Sequence, residues 1–180
     1  LASNLVSIYR DVRTSGDKVL GAQWYPAART IVNEWARHYD TPAQTVACVI
    51  AALSPQNEWS RNLIQADDIL AGRPVSIGGI RTNIDKAQRI LSDRAETTFP
   101  YFPQGPKVAS FSLNLAGNDT AVTVDTHAMQ AALNDVQANV RLAWTPYLCF
   151  ASAYELAAKR VDRPAAEFQA IIWHVWKRLY

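Results

Sequence analysis

The chain has 180 residues, of which 18 are lysine or arginine and 16 aspartate or glutamate, for a formal charge of +2. That length can bury one good core, and the near-neutral balance excludes binding of polyanions through net charge alone while permitting it where cations gather on one face. Two cysteines, Cys48 and Cys149, lie far apart in apolar surroundings without metal-ligand spacing, so both are expected to be buried small hydrophobes and neither a metal nor another cofactor is expected.

From the N-terminus, LASNLVSIYRDV lacks the charged start and long apolar run of a secretory leader, and no stretch approaches the ~18 apolar residues of a membrane span. A cytoplasmic protein with no membrane partner is expected. Pro26 occupies a first helical position before AARTIVNEWARHY, where Ile31, Trp35 and Tyr39 repeat every fourth residue. Thr41, Pro42, Ala43 and Gln44 read as a capping box with proline at N1. The segment it opens, TPAQTVACVIAAL, is apolar on nearly every side and is expected to be a buried central helix. Ser54-Pro55-Gln56-Asn57 ends it. A helix from roughly Trp59 to Leu70 follows, then the loop Gly72-Arg73-Pro74, then a helix after Gly78-Gly79 carrying Asn83, Lys86, Ala87 and Ile90.

A turn around Pro103-Gln104-Gly105-Pro106 leads into a helix on which Val108, Phe111 and Leu115 make one apolar face, with Gly117-Asn118 as its stop. Thr120 to Val124 is strand-like in composition but too short to make a sheet. Asp125 starts another helix, and Thr145-Pro146 and Pro164 start the last two. The expectation is an all-α fold forming a single domain over residues 1–180, with two groups of helices flanking a cleft. No internal repeat or low-complexity segment is present.

Two charged residues in the middle of the chain stand out. Lys107 lies in the first turn of its helix, facing the positive end of the macrodipole, which costs from a few tenths to about 1 kcal/mol. Asp125, before THAMQAAL, is a good N-cap in its own right, stabilising by about 1 kcal/mol. A glycine turn, a first-turn lysine and a helix-opening aspartate follow one another across one helix. That combination suits chemistry on a sugar: an amine attacks the anomeric carbon while a carboxylate stabilises the positive charge built up as the base departs.

The run Gly105-x-Lys107-Val-Ala, followed by Val124-Asp125-Thr-His127, resembles the helix-hairpin-helix DNA glycosylases, the group that includes endonuclease III and 8-oxoguanine glycosylase. Order, spacing and neighbours agree. Val49-Ile-Ala-Ala-Leu53-Ser54-Pro55-Gln56 is similar to the family's leucine-serine-x-glutamine segment, and Gly79-Ile-Arg-Thr-Asn83-Ile-Asp-Lys86-Ala87 to the segment opening the helix before the hairpin. The resemblance covers about residues 42–133, with the hairpin and catalytic segment at about 92–133.

The resemblance implies a monomeric DNA glycosylase with abasic-site lyase activity, needing no cofactor and acting on double-stranded DNA from which a damaged or modified base is flipped. It implies Lys107 as nucleophile and Asp125 as catalytic carboxylate. The DNA contacts it implies are Gln56, filling the gap left by the flipped nucleotide, with Asn57 beside it, Gln104 and Gly105 at the phosphates, and His127 next to the aspartate loop. Departures accompany it: Pro103 stands where the hairpin's first glycine would fall, Gln130 where many members carry a basic residue, and the four cysteines of an iron–sulfur loop are absent, as in the cluster-free branches.

Two other functions use the same residues differently. One is a relative that builds or exchanges a modified base, as in the hypermodified-DNA systems of some bacterial viruses. The other is a non-catalytic DNA-binding module, which has no use for a lysine opposed to the helix dipole. His38 and His174 are expected only to pack, as are Trp24, Trp35, Trp144, Trp173 and Trp176. Trp59, beside the Gln56 loop, is a candidate for stacking on a base.

Overall fold

The computed structural model describes residues 1–11, 15–98, 101–102 and 105–180. Among them run nine helices: α1 (Ala2–Arg10), α2 (Ser15–His38), α3 (Ala43–Leu53), α4 (Trp59–Leu70), α5 (Arg81–Ser92), α6 (Pro106–Leu115), α7 (Thr126–Leu133), α8 (Trp144–Arg160) and α9 (Ala165–Leu179). The described residues contain no strand, and none of their helices is long and apolar enough to cross a membrane. The fold is all-α. The chain divides into two compact units, a central one of Arg29–Ala116 and a terminal one of Leu1–Ala28 with Gly117–Tyr180.

In the central unit α3 is the core. Its residues Thr45 through Leu53 are all buried, and α4, α5 and α6 pack around it. Ala47, Cys48, Ala51 and Ala52 are small enough to let those helices approach closely. Burial in this setting raises the pKa of the Cys48 thiol. The capping box does not form. Pro42 is the N-cap, the Thr41 hydroxyl turns back to the Tyr39 carbonyl at 3.0 Å, and the Gln44 amide donates to Thr98 Oγ1 at 3.3 Å.

The buried stripe of α6 is Pro106, Ala109, Ser112 and Leu115, rotated from the expected one, and Val108 and Phe111 are only half-buried. Close packing favours the small side chains, and the Ser112 hydroxyl is satisfied by Ala109 O at 2.8 Å and Thr98 Oγ1 at 3.0 Å. Arg29 donates to the Asn114 carbonyl at 2.8 Å, placing a cation at the negative end of α6.

The terminal unit packs α1, α7, α8 and α9 around Leu5, Met129, Tyr147, Tyr154, Phe168 and Ile172. The strand-like residues 120–124 form no strand. The Tyr147 hydroxyl serves their backbone, donating to Val122 O at 2.6 Å and accepting from Val124 N at 3.1 Å. Pro26 lies inside α2 instead of starting a helix. An interior proline costs about 3 kcal/mol, and tertiary contacts hold α2 to α9 before that point. A Cβ on Gly21 would stand 2.5 Å from Ile171 Cα, so the two backbones meet at that glycine, and Arg178 pairs with the buried Asp17 at 2.6 Å.

His174 stands 3.6 Å from the same carboxylate, an ion pair only when its ring is protonated. The helix α8 begins at Trp144, so Thr145 and Pro146 sit in its first turn. Its inward face is Tyr147, Phe150, Ala151 and Tyr154, which leaves Cys149 exposed, contrary to the expectation that it is buried.

Candidate functional site

Asn83, Lys86 and Arg89 recur every third residue along α5 as a polar face flanking the buried Ala87 and Ile90. That polar face lines a groove of about 770 Å³ within the central unit, together with Pro55, Tyr101, Phe102, Gly105 and Val108. Lys86 lies over the Phe102 ring, 5.6 Å from its centroid, and Arg89 faces Asp93 at 3.5 Å with both side chains exposed. Tyr101 donates to Asp93 at 2.9 Å, and that hydrogen bond raises the pKa of its hydroxyl and keeps it a donor. Asp85, paired with Arg81 at 2.9 Å, also reaches the groove, so its lining carries two cations and one carboxylate.

Gly105 is the N-cap of α6, with φ −119° and ψ 71° and no side-chain cap. Its carbonyl accepts from Ala109 N at 2.9 Å, and Pro106 has no N–H. Among the described residues, a Cβ built on Gly105 would touch only Val108 Cβ, at 3.9 Å. Packing among the described residues therefore does not require glycine here. Lys107 is the second residue of α6, half-buried, and is not part of the groove lining. Pro103 and Gln104 lie outside the described residues, so the expected turn and the Gln104 contact stand without a structural account.

Gln56 follows α3 on an exposed loop and has φ 55°, a left-handed conformation that costs a glutamine about 1 kcal/mol or more. Its neighbour holds it there. Asn57 donates to Leu53 O at 3.0 Å and to Gln65 Oε1 at 2.7 Å, and Gln65 in turn donates to Gly78 O at 2.9 Å. A Cβ on Gly79 would stand 2.6 Å from Gln65 Nε2, so the glycine makes room for this chain of amides. Asn57 is thus spent on loop geometry, leaving Gln56 as the residue presented. Trp59 meets Phe111 edge to face at 6.5 Å.

Asp125 lies in the terminal unit. Its backbone is extended and its Oδ1 accepts from Ala128 N at 2.8 Å, which makes it the N-cap of α7. Its second oxygen accepts from the Trp173 indole N–H at 2.8 Å. Trp173 carries the Lys177 ammonium 4.5 Å from its ring centroid and the exposed His127 ring edge-on at 6.4 Å. Beneath the first turn of α7, the buried Tyr154 hydroxyl donates to Ala128 O at 2.9 Å, and burial first, then the Asp125 charge, hold its pKa well above the ordinary value. Gln130 donates to Val136 O at 2.8 Å and to Ala138 O at 3.3 Å, bracing the loop after α7.

Trp173 and Arg89 were not singled out by their sequence context. For Arg89 a signal existed, since it continues the spacing of Asn83 and Lys86. For Trp173 none did, because its partner is 48 residues away. Among the described residues no three histidine, cysteine, aspartate or glutamate side chains cluster as metal ligands do.

Residues 1–179 match a family of unknown function, DUF7178, and the chain belongs to it. No curated protein and no solved structure matches the chain.

Proposed function

We propose that this family member is a DNA glycosylase with associated abasic-site lyase activity, a cytoplasmic monomer acting on a base flipped out of duplex DNA. The observation that carries this reading is one groove of the central unit, in which three separate stretches of the glycosylase resemblance meet. Pro55 comes from the loop that presents Gln56, Asn83 and Lys86 from α5, and Gly105 from the start of α6. Two cations, an amide and a helix N-terminus suit a phosphodiester backbone, read without regard to sequence. A glycine that packing among the described residues does not require suits close approach of such a ligand.

The chemistry follows the residues the resemblance assigns. A neutral Lys107 amine attacks C1′ of the extruded nucleotide, and the base leaves with the glycosidic electron pair. The Asp125 carboxylate stabilises the positive charge on the sugar in the transition state. Loss of a proton from nitrogen and cleavage of the C1′–O4′ bond, with O4′ taking a proton to become the 4′ hydroxyl, open the sugar to the imine, and removal of a C2′ proton then expels the 3′ phosphate as a C2′–C3′ double bond forms. Gln56, exposed and held in a strained backbone conformation, suits filling the vacated stack.

Borohydride reduction tests the reading, since it converts the imine to a stable amine. Incubation with duplex DNA containing an abasic site should leave a covalent protein–DNA band, and Lys107→Ala should abolish it while leaving DNA affinity largely intact. Absence of the band with the wild-type protein, or its persistence in the variant, overturns the lyase assignment.

A further inference from the structure

An N-cap aspartate needs only one oxygen for its cap, and the other is ordinarily left to water. In Asp125 both are taken, Oδ1 by the Ala128 amide at 2.8 Å and Oδ2 by the Trp173 indole at 2.8 Å. The two donors come from different helices, α7 and α9, so together they set the plane of the carboxylate as well as its position. We infer that Trp173 is a positioning residue that holds the Asp125 carboxylate in the orientation needed to stabilise a cationic sugar. This inference rests on the glycosylase reading above.

The chemistry of indole suits the task. It donates one hydrogen bond, accepts none and does not titrate, so it fixes an anion without competing for a proton. Each oxygen keeps a lone pair facing away from its donor, and the charge stays on the carboxylate. The Lys177 ammonium over the ring face, 4.5 Å from the centroid, draws electron density from the indole and strengthens its N–H as a donor. A mere packing role for a half-buried tryptophan requires neither the bond to the carboxylate nor the cation above it.

A pair of abasic-site analogues in duplex DNA tests this without knowledge of the target base. In one, a pyrrolidine places a protonated nitrogen at the anomeric position. In the other, a tetrahydrofuran is neutral. The ratio of the two affinities reports how well a carboxylate is aimed at a sugar cation. The wild-type protein should prefer the pyrrolidine duplex, and Asp125→Asn should remove that preference while keeping the cap.

Trp173→Phe keeps an aromatic ring and deletes the N–H. It should lower the preference by about tenfold or more, as expected for losing a hydrogen bond to a charged group. Tetrahydrofuran affinity should stay within about twofold, and the same change in an Asp125→Asn background should have no further effect. Full preference in Trp173→Phe overturns the positioning role and leaves the glycosylase reading standing. Equal loss on both analogues, or a loss that persists without the Asp125 charge, makes Trp173 a structural residue only. No preference in the wild-type protein, together with no trapped band on abasic DNA, overturns the parent reading.

Discussion

Asn57 and Gln65 share a hydrogen bond of 2.7 Å, and through it the loop after α3 is tied to α4. The same Asn57 nitrogen caps the Leu53 carbonyl at 3.0 Å, so two bonds hold the backbone beside Gln56, whose φ is 55°. Removing the donor leaves the buried Gln65 carbonyl short of a partner, and Asn57→Ala should cost about 1–3 kcal/mol in urea unfolding. Gln56→Gly acts the other way, relieving the left-handed strain and raising stability by up to about 1 kcal/mol. Both Gln56→Gly and Gln56→Ala should weaken processing of a paired target base more than of an unpaired one. Equal losses on the two substrates would return Gln56 to an ordinary turn residue.

Lys86 and Arg89 line the groove on one face of α5 and contribute little to the core. If both meet phosphate, the log–log salt dependence of duplex binding should flatten by about 0.9 per cation in Lys86→Ala and Arg89→Ala, and by about 1.8 in the double variant. The loss of affinity should be the same for unrelated duplex sequences. An unchanged slope in the double variant would place the DNA elsewhere.

Gly21 is required by packing and not by backbone conformation, because a Cβ there would stand 2.5 Å from Ile171 Cα and 3.0 Å from Ile171 N. Backbone cannot move aside as a side chain can. Gly21→Ala should destabilise the protein by about 1–3 kcal/mol or more, whereas Gly16→Ala, with none of the described residues within 4 Å of the added atom, should be close to neutral or slightly stabilising. Comparable urea midpoints for the two variants would contradict the close approach of α2 and α9.

The Tyr39 hydroxyl donates to Asp67, and burial, then that bond and the carboxylate charge, push its pKa up to about 12 from 10.0. A phenol with a raised folded pKa binds its proton more tightly in the native state. Its stabilisation is complete below about pH 10 and is lost as pH rises through about 12, since the unfolded chain ionises first. Tyr39→Phe should therefore be less stable than the wild type at neutral pH, and the gap should close between pH 10 and about 12. A gap that stays constant across that range, in denaturant titrations at several pH values, would rule out the coupling.

Much of the secondary structure was legible in the sequence because its signals are local. Apolar spacing and flanking Gly, Pro and Asn placed α4 at Trp59–Leu70 and the start of α7 at Asp125, and a five-residue strand-like run with no partner was too short for a sheet. Local signals failed where packing overrode them. Pro26 reads as a helix start, yet α2 passes through it, and Asp17 and Gly21 fasten that helix to α9. On α6 the larger residues Val108 and Phe111 were expected inward, but a neighbour built of alanine and cysteine admits Ala109 and Ser112 instead. The candidate site divides the same way. Lys107, Asp125, Gln56 and Gly105 could be named from residue type and spacing. That Pro55, Lys86, Arg89 and Gly105 line one groove, and that Trp173 holds the second oxygen of Asp125, only the tertiary structure decided, because a hydrogen bond across 48 residues depends on how helices pack and leaves no periodicity in the chain.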